Sequence, residues 1–183
     1  MSMMLDHLRT MARYNKWANA RLSAAAMSIS EADYMAERGA FFGSIHGALN
    51  HLLLVDRLWR GRVEGKPYPA EGLDETIADS RKTLLQLRAV EDDILIQFTD
   101  SFDAESLAQK ISYKSLVGFS GEDQVSVVLA HMFNHATHHR GQVHGLLSQV
   151  PSDPPPLDLM IYLRDIEPVA KLHHYTDVSS LTF

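Results

Sequence analysis

The chain contains no cysteine. Disulfides, thiolate-ligated metal and a cysteine nucleophile are therefore excluded, and any metal site must use imidazole, carboxylate or carbonyl donors. No apolar run approaches the roughly 20 residues needed to span a bilayer, so no membrane partner is expected. Positive charge is not in excess either: 17 Lys and Arg face 23 Asp and Glu, for a formal net charge of −6. With no Lys/Arg run to form a local patch, nothing in the charge balance points to nucleic acid. The opening Met1-Ser2-Met3-Met4-Leu5-Asp6-His7 does not read as a secretory signal because charge breaks its apolar stretch, and the expected compartment is the cytoplasm. Gly-rich phosphate loops, G-x-S-x-G elbows and Rossmann fingerprints are also missing.

The rest is an ordinary globular composition, 183 residues with 45% hydrophobic and 22% charged. That is enough for a sizeable core, and residues 1–183 are expected to form one domain. Leu5, Leu8, Ala12, Asn15, Asn19, Leu22 and Ala26 recur at three- and four-residue steps, predicting a long amphipathic helix. Ser30-Glu-Ala-Asp33 has the pattern of a new helical start, and residues 36–42 read as a linker. A second helix is predicted from Ser44 to about Val63. A third follows Asp74 as N-cap, with Ile77, Leu84, Leu87, Ile94 and Phe98 on its apolar face. Residues 100–121 lose the helical period, and Ile111, Tyr113, Val117 and Phe119 alternate as in an extended segment or small hairpin. Ser120-Gly-Glu-Asp123 reads as a capping box opening a fourth helix that stops before Pro151, and residues 157–164 as a short helical piece. Four long amphipathic helices predict an all-α four-helix bundle with a short C-terminal extension. Such bundles build metal sites from side chains on facing helices.

Ten histidines stand out, and four of them fall in His131-Met-Phe-Asn-His135-Ala-Thr-His138-His139. No Gly or Pro interrupts Glu122 to Arg140. On a helix, His135 and His139 lie about 40° apart and about 6 Å along the axis, so both rings can reach one metal ion. His131 and His135 have the same spacing, and spacing alone does not choose between the pairs. A third ligand must come from another helix. His51, set among core-facing residues, is the best placed, whereas His46 lies about 140° around the same helix. Three imidazoles would leave an open coordination position, as in catalytic zinc sites. Any one of these histidines is more simply a surface or core residue; three in register are what raise the metal reading. His7, His144, His173 and His174 have no evident partner. Asp56 is expected to pair with a basic residue such as Arg140, Asn15 and Asn19 to make interhelical or ligand-orienting contacts, and Gly141 to mark close helix packing.

Tyr14-Asn-Lys-Trp17-Ala-Asn19, Ser44 through His51 to Trp59, His131 to Gln142, and Leu157 to Arg164 together resemble the DinB-like (YfiT-like) family of metalloenzymes, in the family's order and over most of the chain. The resemblance implies an up-down-down-up bundle, often a homodimer. It also implies a divalent metal, nickel or zinc with iron admissible, held by His51, His135 and His139. His131 then flanks the site, and Arg140 and Gln142 become structural or ligand-supporting. The implied activity is that of a metal-dependent thiol S-transferase or hydrolase acting on a small molecule, with a low-molecular-weight thiol as one partner. A non-catalytic metal or small-ligand binding protein and a metal-free dimerisation scaffold are the alternatives. No catalytic acid or base is assigned; Asp56 and His131 are the weak candidates.

Overall fold

The computed structural model describes residues 3–166, so the predictions for His173, His174 and the rest of the tail lie outside the described residues. In order, the elements are α1 (Met3–Ser28), α2 (Glu31–Met35), α3 (Ile45–Val63), α4 (Arg81–Asp100), α5 (Ala104–Ala108), β1 (Lys110–Lys114), β2 (Ser120–Gln124), α6 (Val125–Leu147) and α7 (Leu159–Ile166). The fold is mostly helical, and the predicted small hairpin is present as a two-stranded antiparallel sheet pairing Lys110 with Gln124 through Lys114 with Ser120. Its turn is closed by the Ser115 amide on the Phe119 carbonyl at 2.7 Å, with Gly118 at φ 86°, a conformation that favours glycine. No helix among the described residues is long and apolar enough to cross a membrane.

Local chemistry accounts for most helix starts. Ser30 and Ser44 cap α2 and α3 by accepting from the amides of Asp33 and Gly47, satisfying donors that a helix leaves open. Two expected starts are corrected. Ser80, not Asp74, caps α4, accepting from the Thr83 amide, and residues before it form a loop. Ser120–Asp123 is not a capping box but most of strand β2: its backbone is used by the ladder to β1, and Gln124 at the head of α6 makes no side-chain cap bond. The start of α6 is instead fixed by burial of Val125, Val128 and Leu129 and by the Val125 amide on the Gln109 carbonyl at 2.9 Å.

The predicted stripe of α1 is buried along its whole length. It feeds two apolar clusters. One gathers Leu22 and Ala26 of α1 with Ile45 and Leu49 of α3, Leu84 of α4 and Val143 and Leu146 of α6. The other gathers Leu5 and Leu8 of α1 with Leu95 of α4 and Val128, Leu129 and Met132 of α6, and Trp59 and Val63 of α3 pack against it. Between the turns that serve the two clusters lie buried polar residues of α1 (Asn15 and Asn19), α3 (Asp56) and α4 (Arg88 and Asp92), and Arg140 of α6 reaches the same layer.

Ion pairs and hydrogen bonds tie this polar layer together, although Nε of Arg88 and of Arg140 is buried without a hydrogen-bond partner. Arg88 donates to Asp56 at 2.7 Å and pairs with Asp92 at 3.0 Å. Asn15 and Asn19 donate to the Asp92 carboxylate at 3.3 and 2.8 Å and accept from Arg140. The Asp56 partner is therefore Arg88 rather than Arg140, because α4 places Arg88 and Asp92 one turn apart against α3 and α1. Asn15 and Asn19 make the interhelical contacts. A Cβ on Gly141 would meet nothing within 4 Å, so close helix packing does not explain that glycine. Buried Glu91 adds a second tie between α3 and α4, at 2.7 Å from Arg60 and 3.3 Å from Arg57.

Candidate metal centre

His51 lies in the middle of α3, and His135 and His139 lie one turn apart on α6, which packs against α3. The pairing of these helices brings the three rings together. One nitrogen from each falls in a group whose atoms all lie within 4.8 Å of one another. Ring centroids are 4.5 Å apart for His51 and His139, 4.2 Å for His135 and His139, and 5.2 Å for His51 and His135.

Two of the three rings are oriented by a partner on the far side. His51 Nδ1 donates to the Leu73 carbonyl at 2.8 Å, and His139 Nδ1 donates to Gln142 Oε1 at 2.8 Å. Each bond fixes the tautomer and leaves the Nε2 lone pair facing the junction, as metal-ligating histidines require. The Gln142 amide is itself held, its nitrogen donating to His138 Nε2 at 3.0 Å. His135 Nδ1 is buried without a partner, and its Nε2 lies 3.3 Å from His51 Nε2. Two ring nitrogens thus face each other where a cation would satisfy both lone pairs. Three imidazoles without a carboxylate form a donor set that suits zinc, nickel, iron or copper, so the residues fit a divalent ion.

Electrostatics keeps these rings neutral. Burial lowers the His51 pKa to about 4. Burial, reinforced by the charges His139 and His51 would carry, lowers that of His135 to about 3. Burial also lowers His139. Neutral imidazole is the form a metal binds.

The other histidines separate cleanly. His131 is outside the three-nitrogen group; its ring sits edge-on to Trp59 at 5.0 Å and 5.9 Å from His135. His46 is buried packing, Nδ1 at 3.2 Å from the Tyr34 hydroxyl and Nε2 at 3.1 Å from Asn50. His7 and His144 are not in the group. Phe42 falls in the linker expected at residues 36–42, yet its ring stacks on His51 at 3.7 Å and 19° and meets His139 edge-on at 5.6 Å. An aromatic pair, Phe41-Phe42, inside a glycine-flanked linker was the available signal. The Leu73 contact carries no sequence signal, because a carbonyl acceptor has no residue-type signature.

Beside the histidines, between α3, α6 and the hairpin turn, lies a cavity of about 200 Å³. Val55, Leu58 and Trp59 form one wall, Ser115, Leu116 and Val117 the other, and Arg62 and His131 reach into it. No Asp or Glu is among its lining residues.

Comparison with known proteins places the chain in a family. The chain is 25% identical over 167 residues to Protein DinB of Bacillus subtilis, covering 87% of this chain and 95% of that protein. Its fold is similar to the crystal structure of a DinB-like protein from Bacillus cereus, with a TM-score of 0.58 at 16% identity, over 76% of this chain and 89% of that one. The DinB family profile matches residues 4–168, and the chain belongs to the DinB family.

Proposed function

We propose that His51, His135 and His139 hold a divalent metal ion, nickel or zinc with iron also compatible. On this reading the protein is a metal-dependent enzyme acting on a small molecule, either a thiol S-transferase using a low-molecular-weight thiol or a hydrolase. The observation that carries it is the convergence of three neutral imidazole nitrogens within 4.8 Å. When bound, such an ion supplies a Lewis acid that favours the deprotonated form of a water or thiol at neutral pH. The chain supplies orientation and exclusion of water. Leu73 and Gln142 hold two rings in one tautomer, and Phe42 covers His51 with its ring face. Burial, with the nearby Arg62 charge, lowers the His131 pKa, which keeps its ring at the cavity wall neutral but makes it a weak proton acceptor. Asp56 is committed to Arg88 and does not line the cavity.

The same reading takes the chain as one domain, an up-down-down-up bundle and a homodimer. The two apolar clusters support the bundle order: the starts of α1 and α6 share one cluster with the ends of α3 and α4, and the opposite ends share the other. The homodimer rests on the family resemblance. One observation favours a second reading, a non-catalytic metal or small-ligand binding protein: no carboxylate base lines the cavity. Thiol consumption with electrophiles, and ester and amide hydrolysis, measured on metal-loaded and metal-stripped protein separate the two. Turnover dependent on the metal supports the enzyme; turnover unchanged by stripping contradicts it.

A further inference from the structure

Arg62 differs from the arginines around it. Arg57, Arg60 and Arg88 are all paired with buried carboxylates, whereas Arg62 makes no ion pair and no side-chain hydrogen bond among the described residues. It lies half-buried in the last turn of α3, its guanidinium 4.4 Å from the Trp59 ring centroid and 5.4 Å from that of Tyr113. Asp123 on the hairpin is engaged by the Tyr113 hydroxyl at 2.8 Å. Arg62 lines the cavity beside the three histidines, and no acidic residue lines it with Arg62. A divalent ion held by neutral imidazoles keeps its full charge, and the guanidinium adds another, so a half-enclosed apolar space is left with uncompensated positive charge.

We infer that this cavity takes a small organic carboxylate, its carboxylate on Arg62 and its apolar body against Val55, Leu58 and Val117. Arg62 is the residue that sets this specificity. The guanidinium fork matches a carboxylate bidentately, and stacking on Trp59 fixes its plane. A phosphoryl group fits less well, since the lining offers neither a lysine nor a helix N-terminus to share its second charge. The metal's contribution rests on the reading of the histidines above; the Arg62 contact does not.

The test uses phenylacetate and its neutral isostere phenylacetamide, titrated calorimetrically into the full chain, zinc-loaded and metal-free, across a salt series. The acid is expected to bind at least about tenfold tighter than the amide in both states, the scale of a hydrogen-bonded charged group, and to weaken as salt rises. Arg62→Met removes the preference, Arg62→Lys keeps part of it, and both retain the zinc stoichiometry of the unmodified protein. Equal binding of acid and amide, or a preference that survives Arg62→Met, overturns the inference. A protein that takes no zinc yet keeps the Arg62-dependent preference overturns the metal reading alone. One that takes zinc but shows no such preference overturns this inference alone. Where one variant fails to fold, the other still tests Arg62, and equal binding of acid and amide by the unmodified chain overturns the inference on its own.

Discussion

Replacing Gln142 with alanine removes the acceptor that orients His139 while leaving all three candidate ligands in place. The amide makes two contacts, accepting from His139 Nδ1 at 2.8 Å and donating to His138 Nε2 at 3.0 Å. Loss of such a partner behind a ligand histidine typically weakens metal binding about 10- to 100-fold, or about 1.4–2.7 kcal/mol. Gln142 is half-buried, so its effect on folding should stay within about 0.5 kcal/mol. The assay is competition for zinc with a chromophoric chelator, beside urea unfolding of the metal-free protein. His138→Ala is the control: it removes only the exposed contact and should change affinity by less than about threefold. Gln142→Glu, which keeps an acceptor at the same reach, should preserve affinity. An affinity for Gln142→Ala within about twofold of the unmodified protein would refute the reasoning.

Arg88→Met strands the Asp56 and Asp92 carboxylates, each 3% exposed, and should destabilise the fold by about 3–5 kcal/mol in urea unfolding; a loss below about 1 kcal/mol contradicts the polar layer as described. The pH dependence follows from the lowered pKa values of His51, about 4, and His135, about 3, against an ordinary 6.5. Below pH 6.5 the unfolded chain takes up protons that the folded chain refuses, so metal-free stability falls as the pH drops from about 6.5 toward 4 and is unaffected by these groups above it. His51→Gln should flatten that slope; coincident slopes for the two proteins would show that the ring does not resist protonation.

What could be read from the sequence depended on range. The α1 stripe was legible because burial repeats with the helical period, and Asn15 and Asn19 stood out as polar residues on an apolar face. Ser30 was legible as a helical start because its cap bond to Asp33 is local. Local motifs failed where tertiary pairing claimed the same backbone, as at Ser120–Asp123, which the β ladder takes. The partner of Asp56 was not recoverable, since nothing in the spacing says which arginine shares the layer across helices. The histidine pairs show the same limit. His131/His135 and His135/His139 are equivalent along α6, and what separates them is where α3 crosses, bringing His51 to the second pair and Trp59 to His131. Phe42 and the Leu73 carbonyl reach His51 from loops, where no periodicity marks them.

The most direct test of the central claim is metal content, measured by mass spectrometry on protein made without a polyhistidine tag and reconstituted with nickel or zinc. The account predicts about one equivalent per chain, abolished separately by His51→Ala, His135→Ala and His139→Ala and retained by His144→Ala, because the group has three imidazoles and no spare donor. Less than about a tenth of an equivalent in the unmodified protein, or equal loss in the His144 variant, would contradict it.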